Sequence, residues 1–127
     1  MKSLILFTAL VITAHAAPPA NFFAAIHTVE TGGALGATLG DKGKALGPLQ
    51  IHRAYHADSR VGGDYARCAD LEYSKKVVTA YLKRYAPAAW ESGDVATLSR
   101  IHNGGPRGHL KPATLKYSQK VLRVLKK

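Results

Sequence analysis

Cysteine is almost absent from this chain: among 127 residues, Cys68 is the only one. A single cysteine excludes an intramolecular disulfide, so the hydrophobic core must stabilise the fold without covalent cross-links. Cys68 itself is expected to be a small buried residue, with a reactive or intermolecular thiol as the alternative.

Acidic residues are also scarce, with 8 Asp and Glu against 18 Lys and Arg and a formal net charge of +10. A charge of this size attracts polyanions such as nucleic acid, anionic lipid or a bacterial cell wall, and it does not choose among them. Because carboxylates are few, each one in a distinctive setting is a candidate functional group.

Residues 4–13 form an apolar stretch that is too short to cross a bilayer as a permanent helix. Lys2 before it and Ala14-His15-Ala16 after it complete the pattern of a secretory signal. We therefore predict a signal peptide over residues 1–16 and one domain over residues 17–127, the alternative being a buried N-terminal core helix. Secretion to the extracellular space or the periplasm leads us to expect no nucleic-acid partner and no stable membrane insertion.

Apolar residues at helical spacing predict four helices in the rest of the chain. The first covers residues 21–30, and the second begins with Asp70 as N-cap and ends at Pro87. The third begins at Gly93-Asp94 and ends at the glycines that follow Asn103, and the fourth begins near Ala113. The residues expected to face inward in this last helix are Leu115, Leu122 and Leu125.

Glycine dominates the segment after the first helix, with six glycines between positions 32 and 47. We interpret residues 33–51 as loops plus a short β-hairpin, with Leu46 to Ile51 partly extended, and residues 52–67 as irregular. The chain is therefore expected to adopt an α+β fold, mostly helical, with a small β-hairpin lobe.

Two carboxylates, Glu30 and Asp41, stand in contrasting settings. Glu30 ends the apolar first helix, where partial desolvation and the negative end of the helix dipole are expected to raise its pKa. Asp41 lies between Gly40 and Lys42, surroundings that favour a solvated, ionised carboxylate. Such a pair can supply the general acid and the second carboxylate of glycoside cleavage. The alternatives are an ordinary exposed glutamate for Glu30 and a turn residue for Asp41.

Two histidines, His52 and His56, are four residues apart and could bind zinc from one helix face. No glutamate lies between them as it would in a metalloprotease helix. We therefore predict no metal site and no cofactor.

Glu30 and Asp41 belong to an ordered set of motifs that spans nearly all of residues 17–127. Each motif alone is common, but their order is specific, and it resembles that of the invertebrate-type (destabilase-type) lysozymes within the lysozyme-like superfamily. Besides Asp41, the motifs are Val29-Glu30-Thr31-Gly32, Gly47-Pro48-Leu49-Gln50-Ile51, Tyr81-Leu82-Lys83-Arg84-Tyr85, and Arg100-Ile101-His102-Asn103-Gly104-Gly105-Pro106-Arg107-Gly108 followed by Thr114 and Tyr117.

This resemblance implies a lysozyme-like fold, with the hairpin lobe flanking a cleft, and an enzyme that cleaves the β-1,4 bond after N-acetylmuramic acid in peptidoglycan. It implies that Glu30 is the general acid and Asp41 the second carboxylate. Members of the family are typically rich in disulfides, and this chain departs from that pattern. The candidate sugar-contacting or cleft-shaping residues are Gln50, Tyr55, His102 and Asn103.

Alternatives stand beside these assignments. Gln50 could be a polar strand residue, Tyr55 a packing residue, and His102-Asn103 the cap of a helix. The rival functions are a lytic transglycosylase, in which Glu30 alone suffices, and a non-catalytic cationic wall-binding protein. The sequence assigns no oligomeric state.

Overall fold

A computed structural model of the chain shows a mostly helical α+β fold, which confirms the predicted fold class. It describes residues 17–127 together with Ser3, Ile5, Leu6 and Thr8, so most of the predicted signal peptide lies outside the described residues. Within the described residues, no helix is both long enough and apolar enough to cross a membrane. The elements are helices α1 (Phe22–Thr31), α2 (Arg53–Ser59), α3 (Leu71–Tyr85), α4 (Pro87–Ser92), α5 (Val95–Gly104) and α6 (Leu115–Leu125), and strands β1 (Leu39–Gly40), β2 (Ala45–Leu46) and β3 (Ile51–His52).

The helical lobe is built around α3. This helix begins at the predicted cap, where the Asp70 carboxylate accepts the backbone N–H of Tyr73 at 2.8 Å. Its apolar side chains, among them Val77 and Leu82, are fully buried, while Lys83 on the opposite side is exposed. Helices α2 and α5 pack against α3, and α6 packs against both α1 and α5. The ends of α1 and α5 are thereby fixed relative to each other.

The small lobe is a three-stranded antiparallel sheet in the order β1-β2-β3, rather than the single hairpin that the sequence predicts. Residues 47–50 form the turn between β2 and β3, so the segment from Leu46 to Ile51 is extended only at its two ends, in agreement with the prediction that it is partly extended. Gly47 has a φ of 83°, and a Cβ there would collide with the carbonyl oxygen of Cys68. Cys68 is itself fully buried, as expected.

Two short helices, α2 and α4, were not predicted. Helix α2 occupies a segment that was expected to be irregular, and its only buried residue is Ser59. Helix α4 begins at Pro87, where the prediction placed only the end of α3, and it has no buried residue. Proline is well tolerated in the first turn of a helix because its missing N–H would have no partner there. Neither segment carries an apolar stripe, so periodicity could not indicate a helix in either.

The inward face of α6 differs from the prediction. Leu115 is 45% exposed, so the expectation that it faces inward was wrong. Leu122 and Leu125 are only partly buried, and the fully enclosed residues of the helix are Ser118 and Val121. Leu122 and Leu125 nevertheless pack against the core, as predicted, on the same face of α6 as Ser118 and Val121.

The connection between α5 and α6 holds the start of α6 in place. It contains two 3₁₀ turns, Gly108–Leu110 and Pro112–Thr114. The buried Thr114 hydroxyl donates to the Gly108 carbonyl at 2.7 Å and accepts a hydrogen bond from Arg100 Nε at 2.8 Å. A Cβ at Gly108 would collide with the Arg100 carbonyl oxygen. Close backbone contact and side-chain hydrogen bonds thus fix α6 against α5 without a covalent link.

Candidate active site

The structure brings all six candidate residues together in one cleft of about 230 Å³ between the helical lobe and the sheet. The cleft receives side chains from the end of α1, the loop between β1 and β2, the turn before β3, the first turn of α2 and the end of α5. Its lining residues are Glu30, Asp41, Ala45, Gln50, His52, Tyr55, His102 and Asn103.

Glu30 lies in the last turn of α1, which ends at Gly32 in the left-handed conformation, as the glycine pair suggests. Its side chain is largely buried, and desolvation raises its pKa from 4.5 to about 7. The Tyr117 hydroxyl of α6 has no partner of full hydrogen-bond geometry among the described residues, but it lies close enough to Glu30 to lower that pKa in part. Glu30 therefore holds a proton in mildly acidic solution, as a general acid must.

Asp41 stands in the opposite environment. It is the first residue of the loop between β1 and β2, with a φ of 49°, and its side chain is 61% exposed. Its Oδ2 lies 3.3 Å from Nε2 of His52. The cleft thus combines a desolvated carboxyl group with a solvated one, which is the contrast that the sequence suggested.

His52 is a polar residue of the cleft that the sequence did not indicate as part of this site. The register of the sheet pairs His52 of β3 with Ala45 of β2, and Ala45 in turn with Gly40 of β1, next to Asp41. His56, its suggested zinc partner, instead contacts the Tyr73 hydroxyl at 2.7 Å. Among the described residues no group of three or more His, Cys, Asp or Glu side chains is placed to hold a metal ion. Only the three-stranded register could have revealed the contact between His52 and Asp41.

Tyr55, which is partly buried, and His102, which is buried, form a polar pair in the wall of the cleft. The Tyr55 ring stacks on Tyr81 with centroids 3.6 Å apart, and its hydroxyl lies 2.9 Å from Nδ1 of His102. Burial lowers the pKa of His102 to about 4, an effect that the Leu49 carbonyl offsets only in part. His102 is therefore neutral near pH 6, and its Nδ1 can accept a hydrogen bond from the Tyr55 hydroxyl. Tyr55 thus both packs in the core and lines the cleft.

Gln50 and Asn103 complete the cleft in different ways. Gln50 adopts a φ of 54°, and its amide nitrogen donates to the carbonyls of Thr38 at 3.2 Å and Gly47 at 3.0 Å. These bonds brace the sheet lobe, so Gln50 shapes the wall of the cleft. Asn103 is exposed near the end of α5, whose C-cap is Gly105. Its side chain is available to a ligand, and neither Asn103 nor His102 is the cap residue.

The sequence of this chain is similar to those of known lysozymes. The lysozyme of Ostrea edulis is 35% identical over 85 residues, which cover 65% of this chain and 62% of the relative. The lysozyme of Meretrix lusoria is 36% identical over 82 residues, which cover 63% of this chain and 67% of the relative. The chain thus spans roughly three fifths to two thirds of the length of these two relatives. No family model matches the chain.

A solved structure extends the similarity to the fold. The crystal structure of Tapes japonica lysozyme superposes on this chain with a TM-score of 0.69 at 29% sequence identity, covering 86% of this chain and 94% of that one. The lysozyme-like α+β fold that the resemblance implies is therefore confirmed.

Proposed function

Because this chain belongs to the invertebrate-type lysozyme family, we propose that it hydrolyses the β-1,4 bond between N-acetylmuramic acid and N-acetylglucosamine in peptidoglycan. The observation that carries the proposal is the pair of carboxyl groups in one cleft. Glu30 has its pKa raised to about 7 by desolvation, while Asp41 is 61% exposed beside His52. Glycoside hydrolysis needs one carboxyl group protonated and the other ionised at the same pH.

In the first step Glu30 donates its proton to the glycosidic oxygen as the bond to the anomeric carbon breaks. The positive charge that develops on the sugar is stabilised by Asp41, either as an ion pair or by direct attack on the anomeric carbon. The contact with His52 restricts the orientation of the Asp41 carboxylate, whose loop would otherwise leave it free in solvent.

In the second step the deprotonated Glu30 accepts a proton from water, which adds to the anomeric carbon and releases Asp41. The same group acts first as acid and then as base, which is efficient when its pKa lies near the working pH. The Tyr117 hydroxyl, which favours the ionised form of Glu30, keeps that pKa from rising further.

The polymer and the compartment are part of the proposal. The net charge of +10 supports binding to an anionic bacterial wall. The signal-like pattern over residues 1–16 supports secretion, to the extracellular space or the periplasm. The protein would then act on wall material outside the compartment in which it is made.

The experiment compares the wild type with Glu30→Gln on purified peptidoglycan, with Glu91→Gln as the matched control because Glu91 is exposed. We expect Glu30→Gln to clear the suspension at least about a hundredfold more slowly, the usual cost of losing a general acid, while the control stays near the wild type. Equal rates for all three proteins would disprove the assignment of Glu30.

The products identify the mechanism. Hydrolysis leaves a reducing muramic acid end, whereas a lytic transglycosylase leaves a 1,6-anhydro end, and mass spectrometry separates the two. Asp41→Asn should abolish hydrolysis; full activity of that variant with anhydro products would establish the transglycosylase. Binding of the wall without release of any soluble fragment would instead establish a non-catalytic wall-binding protein.

A further inference from the structure

A second cavity, of about 530 Å³, adjoins the cleft and shares His52 with it. It lies between the sheet lobe, the start of α2 and the 3₁₀ turn at Tyr65–Ala69. The residues that give it its chemical character are Leu39, Lys44, His52, Arg53, Asp64 and Tyr65.

The charge of this cavity is mainly positive. Lys44 and Arg53 have no carboxylate within ion-pair distance among the described residues. The Arg53 guanidinium lies 4.5 Å from the centroid of the Tyr65 ring, which holds it over the cavity wall. The one acidic residue, Asp64, is engaged locally because its carboxylate accepts the backbone N–H of Ala66 at 3.1 Å. Two unpaired cations therefore face a space that is large enough for a ligand.

We propose that this cavity, here named the stem pocket, binds the acidic peptide stem of the peptidoglycan strand held in the cleft. The inference rests on the proposed function. N-acetylmuramic acid carries a lactyl group to which a short peptide with free carboxylates is attached. In the proposed reaction the anomeric carbon of that same sugar meets Asp41, and Asp41 contacts His52, which forms the boundary between the cleft and the stem pocket.

Complementarity of charge and polarity supports this occupant. The carboxylates of the stem match Lys44 and Arg53, since Arg in particular binds carboxylates through paired N–H donors. Leu39 is 64% exposed at the edge of the pocket, where it can contact the methyl groups of alanine residues in the stem. The Tyr65 hydroxyl is already committed to the Ile51 carbonyl at 2.6 Å, so recognition depends on the two cations and the apolar edge.

The test measures binding and cleavage separately. A soluble muramoyl tetrapeptide with free carboxylates, and the same compound with its carboxylates amidated, are titrated into the full chain by calorimetry. Two double variants are compared with the wild type. The first, the Gln pair, combines Lys44→Gln with Arg53→Gln. The second, the charge-preserving pair, combines Lys44→Arg with Arg53→Lys. The matched control removes two charges elsewhere, with Lys75→Gln and Lys76→Gln on α3.

We expect the Gln pair to bind the free-carboxylate compound about fivefold more weakly, which is the scale of losing partly exposed ion pairs. The charge-preserving pair should lose less affinity than the Gln pair, because it keeps both charges but moves the paired N–H donors of arginine from position 53 to position 44. The α3 control should bind like the wild type, and amidation of the ligand should remove the difference between the Gln pair and the wild type. In cleavage assays the Gln pair should lose efficiency on intact peptidoglycan and much less on glycan strands stripped of their stems by an amidase, because neither side chain lines the cleft.

The stem pocket would be overturned if the wild type bound the free and the amidated compounds equally, or if the α3 control lost as much affinity as the Gln pair. It would also be overturned if the Gln pair lost as much cleavage efficiency on stripped glycan as on intact peptidoglycan. Selective binding of a phosphate-rich wall polymer such as teichoic acid, in preference to the tetrapeptide, would also overturn it. Failure of the proposed function looks different, because the wild type would then cleave neither intact nor stripped glycan.

Discussion

Replacement of Glu30 by glutamine should stabilise the protein at alkaline pH and leave its stability nearly unchanged in acid. Burial raises the pKa of Glu30 from 4.5 to about 7. Below pH 4.5 the folded and unfolded states both keep the proton, so burial of the Glu30 carboxyl group carries no penalty in the free energy of unfolding. Between pH 4.5 and 7 the unfolded state releases it while the folded state retains it, and the free energy of unfolding falls as the pH rises. Above pH 7 the penalty is complete.

The size of this penalty follows from the pKa difference. It reaches up to about 3 kcal/mol, and water that reaches the partly exposed carboxyl reduces it. His102, whose pKa is lowered to about 4, gives a slope of opposite sign between pH 4 and 6.5, but it is present in both proteins and cancels in their difference. The stability of Glu30→Gln relative to the wild type should therefore rise by up to about 3 kcal/mol between pH 4 and pH 8.

Urea unfolding at pH 4, 6 and 8, followed by the fluorescence of the single tryptophan Trp90, measures this difference. Glu91→Gln is the control, because Glu91 is an exposed carboxyl group outside the cleft. A difference for Glu30→Gln that is flat over this range, or that falls as the pH rises, would refute the assignment of Glu30 as a desolvated acid.

Four further substitutions test other contacts. Tyr117→Phe removes the hydroxyl that favours ionised Glu30, so the alkaline decline of kcat/KM, which follows loss of the Glu30 proton, should move to higher pH in a pH-rate profile. Gly108→Ala drives a methyl group into a backbone carbonyl of α5 and should lower the free energy of unfolding by about 2 kcal/mol or more in urea titrations. Val121→Ala should destabilise by roughly 2 kcal/mol and Leu115→Ala by less than about 1 kcal/mol, because only Val121 is fully buried; calorimetric melting distinguishes the pair.

The parts of the fold that local chemistry determines were predictable. Asp70 caps α3 as expected, because an N-cap carboxylate can accept the unpaired backbone N–H three residues later whatever the rest of the fold is. Glu30 has the raised pKa expected from its apolar flank. Glu30 and Asp41 line one cleft together with Gln50 and His102, which the resemblance implied and which local chemistry alone could not predict. Their roles in catalysis stay predictions.

The parts that depend on contacts distant in sequence were not predictable. Strands β1, β2 and β3 have only two residues each, too few for an alternating pattern, so neither their number nor the contact between His52 and Asp41 could be inferred. Leu115 was wrongly expected to face inward because it is apolar, but it is exposed in the first turn of α6, directly after the 3₁₀ turn Pro112–Thr114. The spacing of apolar residues identified that helix, and tertiary packing determined which of them are enclosed.

The buried position of Cys68 has a consequence for the conditions in which this protein folds. With no disulfide to form and its only thiol enclosed, the chain needs no oxidising compartment and no disulfide isomerase to reach its native state. The pKa of the thiol is raised to about 11 by desolvation, so the reactive thiolate is scarce as well as inaccessible. Reductants should leave the folding yield unchanged, and the protein should be obtainable in native form from a bacterial cytosol.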